Sequence, residues 1–323
     1  MKKYILLLTI IYIILGCSAS SNNPVNLKQN PEINSENIIV KVLQHVKHYP
    51  KEPRYVIYHT NGMCNFEIFV NDRKVVKSFN NESFSTGNEI NPYLLDGTNT
   101  LKVVLYPRED QEKFNDQTVF DLKVESYENT DRFSVEKQQD SLFVYSNQKN
   151  KDHLFEGSGK ERFEEIMNFK LAQVPYRING WKDSQDLRDF DKKILEAKVL
   201  EAYKMIQSAF KAKDLDKIAR FSYNKIKDQA ISQYFDQDEV QDAWEKLTNI
   251  VHTENLTFMP IDHYELVFYG DGKLIGLKST KREKGYREAS ALMYPSNKNE
   301  NLIESELDYL LHIPKGKTAF EIY

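Results

Sequence analysis

Four ionisable side chains near the end of the chain have the types and spacing for acid–base work. On an extended segment at Tyr264, alternation puts His263, Glu265, Val267 and Tyr269 on one face, opposite the apolar Tyr264, Leu266 and Phe268. On a second segment, Leu307, Tyr309, Leu311 and Ile313 share the apolar face, leaving Glu306, Asp308, Leu310 and His312 on the other. If both polar faces line one concave pocket, His263, Glu265, Asp308 and His312 can bind a small molecule or move a proton. If the sheet is one-sided, the same faces are merely solvated. Cys64 with His59 could make a nucleophile and base, but Cys64 opens an apolar strand, which predicts a buried, inert thiol. His45 and His48 would share a metal on a helix but point apart on a strand. Gly157-Ser158-Gly159-Lys160 lacks the glycine spacing of a phosphate loop and reads as a surface loop. No catalytic role, metal site or cofactor is assigned.

These side chains need elements to hold them, and the chain has two textures. From about residue 37 to 178 the pattern is β. Ile38 to Val42 begin it, followed by runs at Arg54–Tyr58, Phe66–Val70, Val75–Phe79, Leu101–Leu105, Val119–Val124, Leu142–Tyr145 and Met167–Leu171. Turns are expected at Asn71-Asp72 and at Asp96-Gly97-Thr98. Short antiparallel strands at regular spacing predict an all-β sandwich. From 183 to 323 the texture is α+β. A long helix with Leu187, Phe190, Ile194 and Ala197 on one face is expected, capped by Asp183 or Ser184. A second begins at Lys213-Asp214-Leu215-Asp216, and helical patterns run Ile226–Phe235 and Val240–Val251. Strands return at Tyr264–Tyr269, Leu274–Leu277, Ala289–Tyr294, Leu307–Ile313 and Ala319–Ile322. The fold class is therefore multidomain: an antiparallel sandwich, then helices packed on a curved antiparallel sheet. Trp181, in the connector between them, is expected to pack between the two.

The N-terminus carries the clearest motif. Met1-Lys2-Lys3 precedes an apolar run from Tyr4 to Leu15, broken only by Thr9. It is too short to span a bilayer and suits a signal peptide. It ends Ile14-Leu15-Gly16-Cys17, which resembles the lipobox of bacterial lipoproteins. That resemblance implies cleavage between Gly16 and Cys17, acylation (palmitate-type chains) of Cys17, and a lipid anchor on the cell membrane or outer membrane, with the protein facing the periplasm or exterior. Ile14 stands where the family prefers Leu, and Ser18 looks compatible with outer-membrane sorting. Residues 1–16 are then the signal peptide, and 17–36, rich in Ser, Asn and Pro, a flexible tether. Residues 66–103, with the Gly97-x-Asn99-x-Leu101 turn, resemble the jelly-roll accessory domains of sugar-processing enzymes. They imply a sandwich fold and no sugar site. The order of elements in 183–323 is similar to the cone-shaped fold of nuclear-transport-factor-like proteins, which hosts enzymes and binding modules alike.

Composition narrows the classes further. The 323 residues are 40% hydrophobic and 28% charged, with a formal charge of −4. Removing Lys2 and Lys3 from the 44 basic residues leaves 42 against 48 acidic ones, or −6. That balance argues against nucleic acid as a partner. Two cysteines exclude a disulfide framework and a Cys-rich metal module. The expected function is a non-enzymatic cell-envelope binding module for a protein, glycan or small ligand. The alternatives are an immunity-type lipoprotein that neutralises a periplasmic toxin, and a hydrolase or isomerase using the C-terminal pocket.

Overall fold

The structure, a computed structural model, describes residues 25, 28–131, 140–147, 154–171, 173–178, 180–283, 285–298 and 301–323. The signal peptide, the Ile14-Leu15-Gly16-Cys17 motif and half of the 17–36 tether lie outside them. Among the described residues the strands form four antiparallel sheets, accompanied by four α-helices, a mixed α+β fold. No helix of these residues is long and apolar enough to cross a membrane.

Strands β1 (Pro53–Gly62), β2 (Cys64–Val70) and β3 (Arg73–Ser78) come first, with β4 (Phe84–Glu89), β5 (Gly97–Pro107), β6 (Val119–Glu128), β7 (Asp140–Ser146) and β8 (Phe163–Leu171) after them. One sheet has the order β4-β1-β6-β7 and another β3-β2-β5-β8. Ile57, Phe120, Leu122 and Val124 from the first sheet join Phe66, Ile68, Leu101 and Val103 from the second in one core cluster. The β2–β3 connection is the expected Asn71-Asp72 turn. Both residues have positive φ (49° and 59°), which Asn and Asp tolerate and the right-handed twist of a two-residue hairpin favours. The turn sets Val70 opposite Arg73, so the arginine is fixed at the first position of β3.

Three sequence expectations change here. Ile38 to Leu43 form a helix, α1, not a strand. Its β-branched residues suit either state, and contact with two later helices decides: Ile38 and Val42 are buried in the C-terminal core cluster. The 17–36 tether is ordered at its far end. Gln29 exchanges hydrogen bonds with the backbone of Ile322 (2.9 and 2.7 Å), and Ile33 is buried. The long helix starts later than expected. α2 runs Lys192–Lys211, and Asp191, not Asp183 or Ser184, accepts from the amides of Lys193 and Ile194.

α3 (Leu215–Gln233), capped by Asp214, unites the two helical segments expected on either side of Tyr223. α4 (Gln237–His252) opens with a capping box of Asp236 and Glu239. β9 (Tyr264–Tyr269) and β10 (Leu274–Ser279) flank the Gly270–Gly272 turn as expected. β11 (Met293–Lys298) and β12 (Asn301–Glu306) pair only with each other, while β13 (Leu311–His312) and β14 (Glu321–Ile322) complete the sheet β14-β13-β10-β9. The Leu307–Ile313 strand is thus reduced to two paired residues. One face of this sheet packs on α2 and α3 through Ile275, Leu277 and Leu311. The other face is also covered: Trp181, Leu274, Leu310 and Tyr323 form a small cluster of their own.

Candidate functional site

The doubly covered sheet determines where the four C-terminal candidates go, and it does not bring them together. His263 is exposed, with φ of 48°, just before β9. Glu265 is exposed and pairs with Lys278 at 2.9 Å. His312, only 3% exposed, shares a hydrogen bond of 2.7 Å with the Ser184 hydroxyl through Nδ1. Its Nε2 is buried without a partner. Burial pulls its imidazole down to about 4. Of the four, Asp308 alone lines the cleft between β1, α3 and α4, where it meets Lys225 at 2.9 Å. Its side chain is 55% exposed; what desolvation it has acts to raise its pKa, but the Lys225 and Arg73 charges more than offset this and hold it at about 2.

The other sequence candidates also separate. Cys64 is fully buried, and its Sγ faces the Val119 carbonyl at 3.6 Å. Burial pushes the thiol up to about 12, so thiolate is scarce at neutral pH. His59 packs among Phe66, Phe84 and Phe120, with Asn88 at 3.2 Å from Nε2. In a Cys17→Ala variant Cys64 is the remaining thiol. It is expected to react with an aromatic disulfide reagent only at the rate of unfolding, as read by release of the thiolate chromophore; prompt reaction of the native protein would contradict the geometry. His48 pairs with Glu52 at 2.9 Å rather than with His45. Among the described residues no group of three or more His, Cys, Asp or Glu is placed to hold a metal ion. The Gly157–Lys160 segment is a turn tied to Phe114 by backbone hydrogen bonds of 2.9 Å, as a surface loop should be.

What the fold does build is an open cleft of about 660 Å³. Arg54 of β1, Glu89 of β4 and Tyr127 of β6 form one wall; α3, α4 and the segment 306–309 form the rest. Its apolar part comes from Ile226, Phe235, Ala243, Leu247 and Ile250, and its rim carries Lys225, Asp242 and Lys246. Mixed lining of this kind suits a ligand with both apolar and polar groups.

Arg54 holds the walls together. It is 2% exposed. Nε donates to Asn129 at 2.7 Å, Nη1 to Glu89 at 3.0 Å and Nη2 to Glu239 at 2.9 Å. The guanidinium also lies 5.6 Å from the Phe235 ring centre. Tyr127 adds a hydrogen bond to Glu89 at 2.9 Å. Glu239 does two jobs, since its other oxygen accepts from the Asp236 amide to cap α4. One arginine thus links strand, edge strand and helix N-terminus across the cleft base.

Sequence reasoning missed Arg54, Glu89 and Glu239. Arg54 was read only as the polar start of a strand, and its partners lie 35, 75 and 185 residues away. Comparison with known protein families, with curated proteins and with solved structures finds no match for this chain. The cleft must therefore be interpreted from its own chemistry.

Proposed function

We propose that the chain is a cell-envelope lipoprotein, anchored through acylated Cys17, whose folded body is a binding module that takes its ligand in the cleft between the β1 sheet and the α3–α4 pair. The observation that carries the reading is the cleft itself: about 660 Å³, open to solvent, with an apolar lining and a charged rim. Its charged groups are largely committed to one another, as in Arg54–Glu89, Arg54–Glu239 and Lys225–Asp308. Such a surface recognises shape and polarity, and this favours binding over acid–base chemistry. The size suits a small ligand or one projecting group of a larger partner.

The finer architecture belongs to the same reading. Residues from β1 to β8 make a jelly-roll-like sandwich, supported by their shared core cluster. The C-terminal part makes a cone-like unit, supported by α2 and α3 packed on a sheet. α1 and the segment from Gln29 join the second unit. Anchoring at Cys17 then has a geometric consequence. Val25 is buried and bridged to Phe320. The eight residue-to-residue steps from Cys17 to Val25 can span at most about 28 Å, which keeps the body close to the bilayer. Two acyl chains or more make such an anchor stable.

Two measurements test this. Cys17→Ala should move the protein from the membrane to the soluble fraction and abolish labelling by a clickable palmitate analogue; membrane retention without acylation would overturn the anchor. Ala243→Trp should fill the cleft and remove whatever small molecule, glycan or protein co-purifies with the folded parent. Equal recovery with both would overturn the binding site.

A further inference from the structure

A second arginine is as deeply buried as Arg54 but has none of its partners. Arg73, at the first position of β3, is 3% exposed. Its guanidinium carbon lies 5.4 Å from the ring centre of Tyr323 and 5.6 Å from those of Tyr93 and Trp181. Three rings from three distant parts of the chain thus cage one cation. Aromatic faces attract the charge but do not satisfy its five N–H donors. Nη1 is buried with no hydrogen-bond partner. No carboxylate lies within ion-pair distance of it among the described residues, whereas Arg54 has two. A buried, unpaired guanidinium is costly for a fold to keep.

The cage also has openings. Arg73 lines a cavity of about 100 Å³ with Tyr93, Trp181 and Tyr323. That cavity shares Glu89, Lys225, Gln229 and Gln233 with the main cleft, so it adjoins the cleft at its inner end across those side chains. On its other side Arg73 lines a cavity of about 150 Å³ beside Asp308, which again borders the main cleft. The inner end offers a second unmet group, since Oε1 of the buried Gln233 has no partner. The other charges nearby are spoken for. Lys225 pairs with Asp308, Lys74 with Glu67 and Lys77 with Glu306. Asp228 accepts from the Tyr323 hydroxyl at 3.0 Å. The free donor at this end of the cleft is therefore that of Arg73, since Gln233 Oε1 can only accept.

We propose that Arg73 is the anion-binding residue of the cleft: held by Tyr93, Trp181 and Tyr323, its guanidinium receives the carboxylate or phosphate group of a small ligand that enters from the main cleft. The planar fork matches either oxyanion through paired N–H donors, and a lysine at the same place would not. The ligand's apolar part would then extend toward Phe235, Leu247 and Ile250, which line the wider part of the space. The inference rests on the reading of the cleft as a binding site and adds the chemical class of what it binds.

Trp181 supplies a reporter, because an anion on Arg73 arrives beside its ring. The full-length protein in mild detergent is titrated with sodium phosphate and, separately, with sodium acetate, at ionic strength held constant with chloride. Saturable change of tryptophan emission is expected with at least one of them, and which one identifies the source of the oxyanion. The change should persist in Trp244→Phe, vanish in Trp181→Phe, and require at least tenfold more anion in Arg73→Lys and Arg73→Gln. Flat titrations of the parent with both anions overturn the proposal, and so do equal titrations of parent and Arg73→Gln. If the Arg73 variants do not fold, the parent still decides: a rise in melting temperature with phosphate or acetate over matched chloride supports it, and no rise overturns it. Loss of co-purifying ligand in Ala243→Trp together with flat anion titrations would sink this inference alone; retention of ligand in that variant would sink the cleft reading beneath it.

Discussion

Arg54→Ala is expected to lower the unfolding free energy by about 3 kcal/mol, measured from the midpoint and slope of urea denaturation. The figure follows from what the side chain leaves behind. Its removal strands Glu89 and Glu239 near each other without their shared cation, and frees the side-chain Oδ1 of Asn129. Breaking a buried pair by deleting one partner costs about 3–5 kcal/mol. The lower end applies because the Glu89 and Glu239 side chains retain 32% and 18% exposure, so water recovers part of the loss. By contrast, Lys198→Ala breaks a surface pair with Glu201 on α2 and should change stability by less than about 0.5 kcal/mol. Glu239→Gln should fall between them, since the amide oxygen still caps α4 while the charge is lost. An Arg54→Ala loss no larger than that of Lys198→Ala would mean that the cleft walls are held by the apolar clusters and not by this arginine.

The case of Arg54 also shows where sequence reading stops. Strands announced themselves wherever one face is apolar and turns bracket the run, as at Phe66–Val70 with Asn71-Asp72 behind it. β4 gave no such signal. After Phe84 its residues are small or polar, and they lie at a sheet edge, where only one neighbour constrains the pattern. α1 was misread because Ile38, Ile39, Val40 and Val42 favour strands locally, and only contact with α3 and α4 overrides that preference. The quartet around His263 and His312 is not assembled in one place, for a related reason. Alternation in Leu307–Ile313 identified the face on the helices, but nothing local shows that the opposite face is also covered. Trp181 and Tyr323 cover it, burying Leu310 and turning His312 toward Ser184. Trp181 lies against Arg73 of β3 as well as Leu274, Leu310 and Tyr323. What could not be read is that its ring would serve a cation at position 73, because that contact is assembled from residues 93, 181 and 323. Buried ionic sites formed by long-range contacts leave no local periodicity.

Stability should fall as pH drops from 6.5 to 4, and two histidines set the slope. Burial holds His59 and His312 at about 4, against 6.5 in the unfolded chain. Above pH 6.5 both states carry neutral imidazoles and the pair has no effect. Between 6.5 and 4 the unfolded chain binds two protons that the folded one refuses, a loss of about 2.7 kcal/mol per pH unit. Asp228 opposes this. Burial raises its carboxyl to about 6, so between pH 6 and its unfolded value the folded state is the one that takes up a proton. That halves the slope to about 1.4 kcal/mol per unit over most of the window, for a net loss of roughly 4 kcal/mol by pH 4. His45, also lowered by burial, adds in the same direction as the other two histidines. Asp308, held at about 2, contributes only at lower pH. Urea midpoints measured from pH 7 to 4 test the balance. His312→Asn and His59→Phe should each flatten the curve by about one proton. Asp228→Asn should steepen it, because the compensating uptake is gone. A parent curve that is flat across this range would mean that the two imidazoles reach water in the folded state. An Asp228→Asn curve parallel to the parent's would mean the same for the buried carboxyl beside Tyr323, and with it that the inner end of the cleft is already wet.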